Sequence, residues 1–534
     1  MKHIYKIKQF FLCFSFLALL FLLGCSSTGC AKKQVPKETI HILSGSENKE
    51  LEPILDAFEK DTGVTIEITY KGSVDIMYTL KNGATRYDAV WPASSIWISL
   101  GDNTHCVKHS QSISLTPVVF GIKRPLAEQY GLTGRNNVSI KELLPLIQND
   151  RLKFCMASAT QSNSGASAYI GFLYALLDKQ EALTEADLDD KQLRESISDL
   201  LQGVERSSGS SDWLKEMFLK GDYDAMVNYE SLMIDANQTL VAQGKEPLYI
   251  LYPYDGLSLS DSPLGYIDHK NEKKEQAFLA LQDYLLSDEV QKQIEKTGRR
   301  IQTSGVSKEN QEIFCEDWGI DTNAILSPIN MPSEKVLQKA LQLYQSDFRK
   351  PSLNVYCLDY SGSMKGEGHT QLVEAMRQIL IQENAEKNML QAAQGEVNII
   401  ITFHKSIKHI YVADSASPED MEDLFLQMEQ EKVGGKTNMY VAIQEALNQI
   451  KSTYDVNDYT PAIILLTDGK SKTSTKQDFM DMYQSLGLDI PVFSIMFGEA
   501  DADQLNDLAE FTNAKVFDGR ENLIQAFQTV KGYN

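Results

Sequence analysis

Asp359, Ser361 and Ser363 stand in a DxSxS spacing, Thr437 follows the pair Gly434-Gly435, and Asp468 closes an apolar run. Three hydroxyls and two carboxylates of this kind suit a hard divalent cation. Mg2+ takes near-octahedral oxygen coordination and gives up its water reluctantly, so the set is assigned to Mg2+, or to Mn2+ in its place. Neutral hydroxyls leave much of the ion's charge uncompensated, and such an ion attracts an outside carboxylate to an open position. No His, Cys or general base joins the five residues, so the parts for metal-assisted hydrolysis are missing. The sequence also has no Walker A loop, GxSxG elbow or HExxH helix. The site is read as one that binds and does not catalyse.

Strands must carry these residues to one place. Residues 353–358 are a mostly apolar strand ending at Asp359, and a helix follows with Leu372, Met376, Ile379 and Leu380 on one face. Residues 397–403 and 407–412 are further strands. The Gly-Gly-Lys-Thr-Asn stretch then opens a helix marked by Met439, Ile443, Leu447 and Ile450. Residues 462–466 form a continuous apolar strand, as in the buried middle of a parallel sheet, and end in Thr467-Asp468-Gly469. Residues 491–497 make another strand, and 505–508 and 523–527 fall in late helices. The polar groups therefore sit where a doubly wound sheet opens its crevice. Glycines at 434 and 435 permit the close backbone approach that brings Thr437 in.

Across residues 351–534 these three elements, in this order, resemble the signature of von Willebrand factor type A domains, with all five positions of the metal-ion-dependent adhesion site present. The resemblance implies a Rossmann-like fold. It implies hydroxyls as direct metal ligands, aspartates acting through water, and a protein partner that offers a carboxylate.

A softer set of polar residues lies earlier. Residues 39–43 alternate as a strand, Leu51, Ile54, Leu55 and Phe58 recur at helical spacing, and 64–70 alternate again; 88–91 form a third strand. A second lobe is predicted to begin near Ser112, with strands at 115–122, 154–157 and 225–229. Residues 249–253 are predicted to return the chain to the first lobe, and 276–293 to form one helix. Loops at the carboxyl ends of such strands face a crevice. They supply Ser44, Ser46, Ser94, Ser95, Ser162, Asn163, Ser164, Tyr229 and Glu230 as candidate ligand contacts. The first and third loops also open helices, whose free N–H groups suit an anion or polar oxygen; helix capping is the competing role of their Ser and Asn residues. His105 and His109 would share one strand face with no third metal ligand, so a solvent-facing strand is expected there.

This layout over 39–310 resembles the two-lobed bacterial extracellular solute-binding proteins of ABC transporters. The matching features are the strand-turn-helix at 39–58, the stretch Arg86-Tyr87-Asp88-Ala89-Val90-Trp91 and the Ser/Asn/Gly-rich helix start at 161–165. The resemblance implies a small solute held between lobes that close by a hinge. Residues 311–350 are read as a helical connection. The fold class is α/β throughout: a two-lobed region followed by a doubly wound domain.

The chain begins with Lys2, Lys6 and Lys8 ahead of an apolar run from 10 to 23, too short for a spanning helix of about 20 residues. The run ends in Leu22-Leu23-Gly24-Cys25 before a polar tether, 25–38. This resembles the bacterial lipobox, which implies cleavage of residues 1–24, a lipid on Cys25, and attachment to a membrane of the cell envelope outside the cytoplasm. The 534 residues suffice for about three domains. A formal charge of −22 repels phosphate backbones and argues against nucleic-acid binding. The seven cysteines are scattered and show no zinc spacing.

Overall fold

The structure is a computed structural model. It describes residues 35–530 except 324–325, 327, 388–389, 391, 416, 469–470, 472, 497, 499, 521–522, 524–525 and 528–529. The leader and Cys25 lie outside the described residues, as do Gly469 and Phe497. Strands are numbered in chain order: β1 (Thr39–Gly45), β2 (Thr65–Lys71), β3 (Ala89–Trp91), β4 (Val107–Ser112), β5 (Thr116–Lys123), β6 (Phe154–Ala157), β7 (Val204–Ser208), β8 (Ala225–Tyr229), β9 (Leu248–Leu251), β10 (Ser258–Ser260) and β11 (Pro263–Ile267). In the C-terminal part follow β12 (Ser352–Asp359), β13 (Val397–Phe403), β14 (Ile407–Ala413), β15 (Thr460–Thr467), β16 (Val492–Met496) and β17 (Val516–Asp518).

Lobe 1 is a sheet in the order β2-β1-β3-β11-β4. Strands β1, β2 and β3 run parallel, and β11 and β4 close the sheet with antiparallel pairs. The helix Glu52–Thr62 buries Ile54, Leu55 and Phe58 against it. Its core also takes Trp91, Tyr266, Phe278 and Leu281. The single helix expected over 276–293 is two, Glu272–Leu285 and Asp288–Glu295. The break has a local cause: Ser287 adopts extended backbone, and its hydroxyl donates to the Tyr284 carbonyl at 2.7 Å. Asp288 and Glu289 then start a fresh helix whose N-terminal dipole favours acids. Strand β4 is largely exposed, and His109 Nε2 lies 2.7 Å from Glu275 Oε1.

Lobe 2 is a sheet in the order β10-β5-β8-β6-β7, with β9 also on β5. Here the sequence reading needs correction: residues 249–253 do not return the chain to lobe 1. Strand β9 pairs antiparallel with β5, Leu251 opposite Phe120 and Leu248 opposite Lys123. Asn237 holds β9 in place from both sides, donating to the Leu248 carbonyl at 2.9 Å and accepting from its N–H at 2.7 Å. The return occurs between β10 and β11. There Ser262 N–H donates to the Ala93 carbonyl, and Trp91 Nε1 donates to Ser262 Oγ at 3.0 Å. The outward crossing lies between β4 and β5, beside the paired Leu115 and Arg300 backbones.

Residues 311–350 are not a free linker. Val336, Leu337, Ala340 and Leu341 of the helix Glu334–Leu343, with Tyr344 and Phe348 after it, complete the hydrophobic core of lobe 2. Tyr169 OH donates to the Ala340 carbonyl at 2.9 Å.

The C-terminal sheet runs β14-β13-β12-β15-β16-β17, and only β14 is antiparallel to its neighbour. Every residue of β12 is buried, as expected for a central parallel strand covered on both faces. From β12 the chain first builds one side of the sheet and then crosses to the other. The crevice at this reversal lies between the carboxyl ends of β12 and β15.

Candidate functional site

Asp359 ends β12 and Asp468 follows β15, so the two carboxylates flank the reversal crevice. Parallel pairing of Leu358 with Leu466 brings the two strand ends level. Asp359 is fully buried, and Asp468 is 9 % exposed. A chain of hydrogen bonds joins the elements. Asp359 Oδ1 accepts from Ser361 N–H at 2.8 Å. Ser361 Oγ and Ser363 Oγ are 3.0 Å apart. Ser363 Oγ donates to Asp468 Oδ1 at 2.7 Å.

Thr437 comes to this place on a loop clasped from both sides. Gly434 N–H donates to the Tyr360 carbonyl at 2.8 Å, and the Gly435 carbonyl accepts from Gly362 N–H at 2.9 Å. Gly435 has φ +90, and a Cβ there would stand 3.1 Å from the His404 ring. Only glycine meets both demands at low cost. Beyond it, Asn438 N–H donates to the His404 carbonyl at 2.9 Å. Among the described residues Thr437 makes no side-chain hydrogen bond to the Ser361–Ser363–Asp468 chain; it is half-buried between these two anchor points.

A threonine outside the DxSxS and Gly-Gly-x-Thr motifs also contributes. Thr467 Oγ1 donates to Asp359 Oδ2 at 2.6 Å, so both Asp359 oxygens are oriented by the protein. A hydroxyl closing the aliphatic run 462–466 is the available signal.

The electrostatics are dominated by two desolvated carboxylates. Burial pushes Asp359 up to about 6, against the lowering effect of its hydrogen bonds, and the nearby Asp468 pushes it further in the same direction. Burial likewise raises Asp468. Among the described residues neither carboxylate has an ion-pair partner. Two desolvated carboxylates and two hydroxyls around one small volume form an oxygen-only donor set that a hard divalent cation fits, with Thr437 on the adjoining loop.

The nine candidates of the N-terminal region divide. Asn163 is central: its Oδ1 accepts from Trp97 Nε1 at 2.6 Å, and its Nδ2 donates to Tyr229 OH at 2.9 Å and Ser260 Oγ at 2.8 Å. The first of these bonds spans the two lobes. Ser162 and Ser164 form a hydroxyl cluster with Ser211, at 3.0 and 2.7 Å. Ser44 is buried and accepts from Asn48 Nδ2 at 3.1 Å, and Ser46 lies beside it, also buried. Ser94 is half-buried, and Ser95 is exposed with its N–H donating to Asp261 at 2.8 Å. Glu230 is committed to the fold: Arg300 binds both its oxygens at 2.7 Å, and Tyr252 OH donates to the same carboxylate. Trp97, Ser211 and Ser260 join this cluster without a local sequence signal, because their partners lie in the other lobe or dozens of residues away.

The lobes meet along this line. Val74 N–H donates to the Gln161 carbonyl, and Lys49 pairs with Asp212 at 3.3 Å. No helix among the described residues is long and apolar enough to cross a membrane.

Comparison with known families gives two matches. The model for bacterial extracellular solute-binding proteins matches residues 40–300, and that for the von Willebrand factor type A domain matches residues 355–514. Among solved structures, the periplasmic binding protein AfuA of Actinobacillus pleuropneumoniae, with fructose-6-phosphate bound, is 12% identical. That match covers 58% of this chain and 98% of that one, at a TM-score of 0.41. The sulfate-binding protein SubI of Mycobacterium tuberculosis is 15% identical over 56% of this chain and 96% of its own, at 0.39. A von Willebrand factor type A protein of Catenulispora acidiphila is 16% identical over 34% of this chain and 42% of its own, at 0.29. A search of curated proteins gives no match.

Proposed function

Because the chain joins an extracellular solute-binding region at 40–300 to a von Willebrand factor type A domain at 355–514, we propose that it is a bacterial cell-envelope receptor that binds a protein partner through a divalent cation. Asp359, Ser361, Ser363, Thr437 and Asp468 would hold Mg2+ or Mn2+. The supporting observation is the continuous Asp359–Ser361–Ser363–Asp468 arrangement around two buried carboxylates that have no cation partner among the described residues. Bound there, the ion supplies an electrophilic position for a carboxylate of the partner. The protein's own part is to fix the oxygens: Thr467 and the Ser361 N–H hold Asp359, and the Gly434-Gly435 loop sets the depth of Thr437. No His, Cys or further general base joins the five residues, and the chain is read as a binding protein and not an enzyme.

In this reading the solute-binding region takes a small molecule between its lobes and serves as a second recognition module. Cys25 carries the lipid that tethers the receptor to the membrane. The match over 40–300 favours a second reading, the substrate-binding component of an ABC transporter with an accessory C-terminal domain. A pull-down from envelope extract with Mg2+ or with EDTA tests the first. A partner retained with Mg2+, lost with EDTA and lost with Asp468→Ala supports it. Equal recovery under all three conditions contradicts it.

A further inference from the structure

The loop after β1 turns into a short 3-10 helix, Ser46–Leu51, whose Lys49 reaches Asp212 of lobe 2. Glu47 is 6 % exposed and Asn48 is 1 % exposed. Each carries a buried acceptor oxygen that has no hydrogen-bond partner among the described residues, Glu47 Oε1 and Asn48 Oδ1. Asn48 is oriented by its amide nitrogen, which donates to Ser44 Oγ at 3.1 Å and to the Trp91 carbonyl at 3.3 Å. The Glu47 carboxylate lies over Gly45, where a Cβ would come within 2.0 Å of Oε1. Gly45 is therefore what lets this carboxylate fold back over the backbone.

The charges around it are paired unevenly. Lys49 pairs with Asp212 at 3.3 Å. Lys215 pairs with Asp235 at 2.5 Å, Asp212 at 3.3 Å and Glu50 at 3.6 Å. Arg299 pairs with Glu50 at 3.0 Å and donates to the Glu47 carbonyl, not to its carboxylate. Glu50, Asp212 and Asp235 thus use all three cations, and Glu47 is the carboxylate in excess. Burial raises it to about 7, with Asp212 and Glu50 adding to the rise and Arg299 opposing it. Tyr229 from lobe 2 and Tyr70 from β2 also face it, and its charge contributes to raising both phenols.

An unpaired buried carboxylate beside an unpaired amide oxygen is costly unless a donor reaches both. Both orphaned atoms accept, so an anion finds no partner there. A neutral polyol satisfies the hydrogen bonds but leaves the excess charge. We propose that the interlobe crevice takes a small organic cation whose ammonium or guanidinium group is received by Glu47 and Asn48. This rests on the reading of 40–300 as a solute-binding region and adds the chemical class of its solute.

The test is calorimetric titration of the full chain with putrescine, spermidine and L-arginine, against glucose and sulfate. At least one cation binds, and Glu47→Gln weakens it at least tenfold while the Mg2+-dependent shift in melting temperature stays. Binding is also tied to the proton on Glu47: on the intact protein, affinity for the cation falls toward tenfold per pH unit below about 7. That slope serves if Glu47→Gln does not fold. Binding of glucose or sulfate without any cation overturns the cation assignment alone. Cation affinity unchanged in Glu47→Gln, or independent of pH between 5 and 7, overturns it as well. Absence of binding by all five probes overturns it together with the solute-binding reading.

Discussion

Arg206 of β7 and Asp489, just ahead of β16, form an ion pair at 2.7 Å that joins lobe 2 to the C-terminal domain. Arg206 is buried and also donates to the Asn513 carbonyl at 3.1 Å. Tyr223 OH donates to the same Asp489 carboxylate, and Asn513 Nδ2 donates to the Met217 carbonyl at 3.2 Å. All these C-terminal residues lie at the amino ends of the parallel strands, opposite the crevice that holds Asp359 and Asp468. Lobe 2 therefore grips the end of the domain opposite the crevice.

Breaking that pair should uncouple the halves. Removing one member of a desolvated pair costs up to about 3–5 kcal/mol, less here because Asp489 is 40% exposed. Asp489→Ala is expected to split a single calorimetric unfolding transition into two, with the C-terminal transition destabilised by about 2 kcal/mol. One unchanged transition would mean that the junction carries no coupling.

Glu230 and Arg300, both fully buried, form a bidentate pair beside the lobe crossing. Glu230→Gln or Arg300→Met leaves a charge without its counterpart and should cost about 3–5 kcal/mol in urea unfolding. The double variant should recover part of that loss. If Glu230→Gln instead abolished solute binding at full stability, Glu230 would be a ligand contact.

The raised Glu47 gives a signed pH dependence. Its folded value is about 7 against an ordinary 4.5, so the folded state penalises the ionised form. The penalty is complete above about pH 7 and disappears as pH falls toward 4.5. Stability of the ligand-free protein should rise over that window, by at most about 3 kcal/mol from this residue. Glu47→Gln should flatten this part of the profile. A wild-type profile that falls from pH 7 to 5, with no contribution removed by Glu47→Gln, would contradict the assignment.

Gly435→Ala places a Cβ at φ +90 and 3.1 Å from the His404 ring. A cost of about 1–2 kcal/mol follows, and because the same loop positions Thr437, affinity for Mg2+ should fall about tenfold. Unchanged affinity would detach Thr437 from the site.

The C-terminal domain was legible because its signals are local. DxSxS and the strand-ending Asp each close an apolar run, Gly-Gly-x-Thr opens an amphipathic helix, and parallel pairing does the rest. Thr467 escaped because its role depends on the neighbouring strand. In the N-terminal region the apolar run around 249–251 identified a strand but not its sheet. Pairing with β5 instead of a return to lobe 1 is fixed by Asn237, on a separate helix. Glu230 looked like a crevice carboxylate until Arg300, 70 residues on, proved to be its partner. Conversely, Glu47 and Asn48 carry no local sequence signal, and only burial without a partner among the described residues sets them apart.

Asp359 and Asp468 are together proposed to hold a divalent cation. Calorimetric titration of the full chain with Mn2+ tests it most directly, alongside Asp359→Ala and Asp468→Ala. One bound ion in the wild-type protein, lost in both variants with the metal-dependent rise in melting temperature, is the predicted result. Mn2+ binding of the same stoichiometry and affinity in both variants, or none in the wild type, would contradict it.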